Sequence, residues 1–228
     1  MNFQNSDFTP AHAAQNTFLQ QVYQWMAAGL AITGFTAYAA AGNLTLLRAL
    51  AGGGFLVLML AEIGLVMWLS HAIVNQKISS RGAVVGFLVY SLLNGLTLSF
   101  IFLAYTGLSI ATTFFITAGS FAGVSLFAWM TKTDLSSLRG YLVMALWGFF
   151  LASLVNIFLH SAPFYWILTY AGLALFIGLT AYDTQQLKTM HQQNQGSDSM
   201  AVLGALRLYL DFINMFLLLL RLFGRRRD

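Results

Sequence analysis

The chain has 228 residues, 58% of them hydrophobic and only 8% charged, with no cysteine and a formal net charge of +4. A soluble globular domain carries roughly 25% charged residues, so the composition excludes an ordinary soluble domain and reads as an all-α integral membrane protein, with room for six or seven spans of about 20 residues. The missing cysteines exclude disulfides, thiolate catalysis and thiolate metal sites, and the basic residues lie in connections and at the C-terminus, where topology accounts for them without nucleic acid.

Residues 1–21 form a polar N-terminal tail whose only charge is Asp7. It lacks a basic region followed by a short apolar core and a cleavage site, so no signal peptide is expected. The transmembrane domain then runs over residues 22–223, with seven candidate spans at 22–41, 51–69, 83–103, 109–130, 141–159, 164–182 and 201–223. Pro163 opens the sixth, in keeping with proline's preference for a helix's first turn. Residues 224–228 are a short basic tail. Small residues recur four apart at Gly82/Gly86, Gly119/Gly123 and Ala174/Gly178, a spacing that allows helices to approach closely in lipid. Trp25, Trp68, Trp147 and Trp166 read as interface anchors and core.

Lysine and arginine set the orientation. The connections after spans two, four and six hold Lys77, Arg81, Lys132, Arg139 and Lys188, whereas the opposite set holds only Arg48. The first set is therefore expected to be cytoplasmic, together with the N-terminus. A complete seventh crossing places Arg225, Arg226 and Arg227 outside, against the rule; a re-entrant segment keeps them inside. Six well-placed spans fix the topology regardless, which favours seven crossings.

Three of the seven acidic residues fall at or within spans: Glu62, Asp183 and Asp211. In the last segment Arg207, Asp211 and Asn214 sit at i, i+4 and i+7, on one helical face. An ionisable residue inside a span usually faces a bundle interior or a water-filled cavity, so this helix is expected to be central, with its polar stripe turned inward. Arg207 is the ion-pair partner at hand for Asp211, although buried pairs stabilise poorly compared with apolar packing. Glu62 has no basic partner in its own span and is either protonated in the bilayer or paired with another helix.

Asp183, at the end of span six, is the natural second acid. Two carboxylates brought close share a proton, because both cannot cheaply ionise in a dry site. They titrate as a unit and so suit a pH-dependent gate. Deprotonated, Asp183 and Asp211 with carbonyls and water also suit a hard cation such as Ca²⁺. Without a twelve-residue EF-type loop such a metal site is weak and serves permeation, and no tightly bound cofactor is expected. His12, His71, His160 and His191 lie at span ends or in tails, unpaired at metal spacing. Transmembrane Asn94, Thr97 and Asn156 are expected to hydrogen-bond between helices.

The run Val89-Tyr90-Ser91-Leu92-Leu93-Asn94-Gly95-Leu96-Thr97-Leu98-Ser99, the run Ile101-Phe102-Leu103-Ala104-Tyr105-Thr106-Gly107 and above all Gly178-Leu179-Thr180-Ala181-Tyr182-Asp183-Thr184-Gln185 resemble the Bax inhibitor-1 (transmembrane Bax inhibitor motif) family. So does the Leu-rich, Asp-bearing last segment with its basic tail. The likeness covers the chain from the first helix onward and is greatest to bacterial inner-membrane members. It implies a seven-helix bundle with a central last helix, and a pair of aspartates, Asp183 and Asp211 by position, sensing pH in a Ca²⁺-leak pathway. Glu62 matches the family's acidic residue in the second helix. Members described as pH-gated can carry an arginine late in that helix; Leu69-Ser70-His71-Ala72-Ile73-Val74 has none, leaving His71 or Arg207 as substitutes.

Three functions follow as expectations. The first is a pH-sensitive calcium leak channel of the bacterial inner membrane, with Ca²⁺ and H⁺ as its partners besides the bilayer. The second, which the resemblance also implies, is a modulator that binds and restrains a membrane-bound AAA protease through residues 1–21. The third, an intramembrane aspartyl protease, is disfavoured. Asp211 follows Leu208-Tyr209-Leu210, not Gly-x-Gly, and Pro10 and Pro163 are far from any Pro-Ala-Leu element. The expectation is thus a protein that is not an enzyme.

Overall fold

The computed structural model describes residues 10–192 and 197–227, and these are helical almost throughout. α1 spans Pro10–Ala41, α2 Leu44–Ala49, α3 Phe55–Val74, α4 Ser80–Leu98, α5 Ile101–Ala104, α6 Gly107–Met130, α7 Arg139–Leu159, α8 Ala162–Gln192 and α9 Asp198–Phe223. Among the described residues six stretches are long and apolar enough to cross a membrane: Leu44–Val74, Ser80–Ala104, Gly107–Met130, Ser136–Leu159, Ala162–Met190 and Asp198–Phe223. The expected first span lies within α1, which is not one of the six; Gln20, Gln21, Tyr23 and Gln24 dilute its apolar run.

Helix ends differ from the sequence expectation for local reasons. α1 begins at Pro10, so much of the expected polar tail is helical; residues 1–9, with Asp7, and residue Asp228 lie outside the described residues. Leu44–Val74 is broken at Gly52 and at Gly53, whose φ of 112° favours a residue without a Cβ. Asn43 caps α2, its side chain accepting from the Leu46 amide at 3.1 Å. Thr106 caps α6 through the Ser109 amide, and Pro163 sits in the first turn of α8 as expected. The third expected span is two helices, because a turn at Ser99–Phe100 separates α4 from α5. α8 does not stop at Tyr182 but continues to Gln192. Asp183 therefore sits inside a helix and does not cap one.

The described chain forms two compact units. One comprises the chain through Leu98 with Leu187–Leu206; the other comprises Ser99–Gln186 and the chain from Arg207 onward. In the first, α1 packs on α4 at glycines: a Cβ built on Gly29 would meet the Phe87 ring at 2.5 Å, and one on Gly95 would meet Thr36 at 2.7 Å and the Thr33 carbonyl at 2.8 Å. Thr33 donates to the Ser91 carbonyl at 2.9 Å across the same seam. Buried Val22, Met26 and Phe87 complete this core. In the second unit Phe114 and Phe121 of α6 pack edge-on against Phe212 of α9, and Gly172 of α8 lets Phe149 of α7 and Leu218 of α9 approach.

α9 is the most buried of the six apolar stretches: 78% of its apolar window is buried, against at most 39% for the others. Leu208, Tyr209, Phe212, Met215, Phe216 and Leu220 are all enclosed. α7 is the opposite, with none of its window buried; Trp147, Phe150, Leu151 and Phe158 are exposed, as suits side chains in contact with lipid. A polar atom in the buried part of α9 is thus cut off from water, which makes its hydrogen-bonding informative.

Candidate functional site

The site is built from one turn of α8 facing one turn of α9. Successive residues of a helix step round its axis at 3.6 per turn, so Asp183 and Gln186 fall on neighbouring positions of one face while Thr184 and Gln185 point elsewhere. Buried Thr184 bonds the Ser125 hydroxyl of α6 at 3.3 Å. Gln185 clasps the connection after α6, accepting from the Leu135 amide at 2.7 Å and donating to the Thr133 carbonyl at 2.8 Å. Gln186 accepts a hydrogen bond from Arg207 Nη1 of α9 at 2.8 Å. Asp183, the fourth, faces Arg207 and Asp211: the carboxylate charges act on each other, and the Arg207 guanidinium acts on both with the opposite sign.

Asp211 is 5% exposed, and its Oδ2 has no hydrogen-bond partner among the described residues. A buried carboxylate oxygen left unbonded costs its full desolvation. Arg207, one turn earlier on the same face, was the expected ion-pair partner; its guanidinium instead engages Gln186 and acts on Asp211 through space. Asn214, the third member of the polar stripe, turns away from the acids and donates to the Leu210 carbonyl of its own helix at 2.8 Å.

Glu62, of α3, is held within the first unit. It is 8% exposed, accepts a hydrogen bond from Thr97 Oγ1 and lies 3.4 Å from Asn94 Nδ2, both on α4. Its hydrogen-bond partners therefore come from another helix and are neutral; Asn94 and Thr97 bond between helices as expected, whereas Asn156 Oδ1 has no hydrogen-bond partner among the described residues. His71 is exposed, with Asn75 Nδ2 3.2 Å from its ring and bonded to its carbonyl.

Among the described residues no three His, Asp or Glu side chains gather into a metal-holding group. Two ionised carboxylates and a guanidinium carry a net charge of −1, and one proton brings the set to neutrality. Reasoning from the sequence missed Gln186. The signal was there: Gln186 lies three residues after Asp183, on the same face if the helix continues.

The family model described as "Inhibitor of apoptosis-promoting Bax1" matches residues 15–228. The inner membrane protein YbhL of Escherichia coli (strain K12) is 48% identical over 222 residues, covering 94% of each chain. A protein of Borreliella burgdorferi is 44% identical over 220 residues, again covering 94% of each chain, and protein RP147 of Rickettsia prowazekii is 35% identical over 215 residues, covering 92% of this chain and 90% of its own. These likenesses extend over nearly the whole length, as the motif around Asp183 led one to expect. The chain belongs to the Bax inhibitor-1 family of membrane proteins.

Proposed function

We propose that the protein is a pH-sensitive calcium leak pathway of the bacterial inner membrane, a seven-span bundle with a cytoplasmic N-terminus, gated by the aspartates of α8 and α9. The observation that carries this reading is the buried Asp211, one carboxylate oxygen unbonded, interacting with Asp183 and with a guanidinium that a neutral amide holds. Protonation of a single carboxyl in such a set changes its net charge by one unit in a low-dielectric interior, where that charge is felt strongly. Ionised, the pair offers the oxygen ligands that Ca²⁺ takes, and too few of them to bind it tightly.

Ca²⁺ is substrate here, passing by the acids without a resident site, and the protein works without catalysing a covalent step. Support for the membrane comes from the inner membrane protein YbhL at 48% identity and from the six apolar stretches. The test is Ca²⁺ flux into proteoliposomes from about pH 5 to about pH 8, the range in which perturbed carboxyls titrate. Wild type is expected to leak with a pH-dependent rate, and Asp183→Asn or Asp211→Asn to flatten that dependence. Flux equal to that of empty liposomes at every pH overturns the leak and moves attention to restraint of a membrane protease by the N-terminal residues.

A further inference from the structure

The basic tail is not a loose end. Leaving α9, the chain turns at Gly224, whose amide donates to the Leu220 carbonyl at 2.8 Å. A Cβ at that position would stand 2.6 Å from the Tyr105 ring, so the turn needs glycine. Residues 225–227 then run antiparallel to the connection between α5 and α6, with Tyr105 opposite Arg226. The Thr106 amide donates to the Arg225 carbonyl at 3.1 Å and the Arg227 amide to the Ala104 carbonyl at 3.0 Å. The Arg225 amide donates to Ser109 Oγ at 2.8 Å, and Arg227 Nη1 to the Phe102 carbonyl at 2.9 Å.

Backbone fixed in this way presents charge. Arg225, Arg226 and Arg227 are all exposed, as is Arg221, whose guanidinium lies 4.8 Å over the Tyr165 ring. Among the described residues no carboxylate forms an ion pair with any of them, and the four outnumber Asp228, which lies outside the described residues. Exposed Leu103, Leu108 and Phe223 border the same strip. Guanidinium groups beside exposed apolar side chains at the end of apolar helices meet the membrane where headgroups give way to acyl chains. This end lies across the 24-residue helix α6 from the Thr133–Leu135 connection that Gln185 clasps, so it is separate from the aspartates.

We infer that Arg225 and Arg226, held by the Gly224–Arg227 pairing, with Arg221 at the end of α9, form a docking site for the phosphate headgroup of an anionic phospholipid. The planar fork of arginine matches phosphate oxygens two at a time. Occupation by such a lipid also neutralises arginines at the end of the last helix where the distribution of basic residues would otherwise disfavour them.

The test uses the full-length protein extracted from vesicles of phosphatidylethanolamine and phosphatidylglycerol, with the retained lipids measured by mass spectrometry. Wild type is expected to retain phosphatidylglycerol above its share in the vesicle, less so as salt is raised. Arg225→Gln with Arg226→Gln leaves the main-chain pairing and Arg227 in place and is expected to lower that enrichment about twenty-five-fold, at roughly fivefold per arginine; Arg225→Lys with Arg226→Lys is expected to keep most of it. Retention in bulk proportion by wild type, or undiminished enrichment in the glutamine variant, overturns the site. If the glutamine variant does not fold, salt-independent enrichment in wild type overturns it equally.

Discussion

Arg207 gives its guanidinium to Gln186, 2.8 Å away on α8, although Asp211 lies one turn along its own helix. The neutral amide satisfies one donor of the cation without cancelling its charge. Arg207 thereby remains a source of positive potential for both aspartates, and neither acid is locked into a direct pair.

Gln186→Leu removes that acceptor and leaves a partly buried guanidinium short of a partner. Hydrogen bonds to charged groups contribute about 1.5–3 kcal/mol, and the variant is expected to lose that much stability in denaturant titrations of the detergent-solubilised protein. Gln186→Glu keeps an acceptor in place and is expected to fold with stability near wild type. Equal stability of Gln186→Leu and wild type would mean that the bond carries no net energy.

A second expectation concerns Glu62. Its carboxyl accepts from Thr97, so Thr97→Val strips a donor from a buried acid and should cost about 1–3 kcal/mol. Glu62→Gln keeps an acceptor for Thr97 at the same volume and should be better tolerated. Thermal unfolding of the two variants ranks them; the reverse order would contradict the hydrogen-bonded role assigned to Thr97.

The α1–α4 seam offers a third. Gly95 faces the Thr33 carbonyl at 2.8 Å and Thr36 at 2.7 Å from where a Cβ would stand. Backbone cannot swing aside as a side chain can, so Gly95→Ala should destabilise by about 1–3 kcal/mol through overpacking. Gly123→Ala meets nothing within 4 Å and should be neutral or slightly stabilising, since alanine is the better helix former. Comparable losses in the two variants would place the close approach elsewhere.

Those glycines also mark how far the sequence could be read. Long apolar runs broken by polar residues, glycine or proline located most helices to within a few residues, since burial in lipid demands both apolarity and internal backbone bonding. Spacing along one helix does not say which face meets a neighbour: a Cβ on Gly119 or Gly123, four apart, would meet nothing within 4 Å, whereas one on Gly95, which stands four residues from Ser91 and from Ser99, would meet Thr36 at 2.7 Å. Hydropathy traces the lipid-immersed part of a helix and not its end, so the continuation of α8 through Gln185 and Gln186 went unseen, although glutamine and lysine are good helix formers. The helical face shared by Arg207 and Asp211 was legible from their separation of four. That Gln186 would intercept the guanidinium was not, because it depends on the register of α8 against α9. The pairing of residues 225–227 with the α5–α6 connection left no pattern in so short and charged a tail.

Asp183 and Asp211 should act as one titrating unit, and a double-mutant cycle on the pH dependence of Ca²⁺ flux measures that directly. Wild type, Asp183→Asn, Asp211→Asn and the double variant are reconstituted at equal density, with insertion and helical content checked for each. Coupled carboxylates predict that either single substitution abolishes most of the pH dependence and that the double variant adds little to it. Additive effects of the two substitutions, or a double variant that keeps the wild-type profile, would contradict a shared proton between α8 and α9.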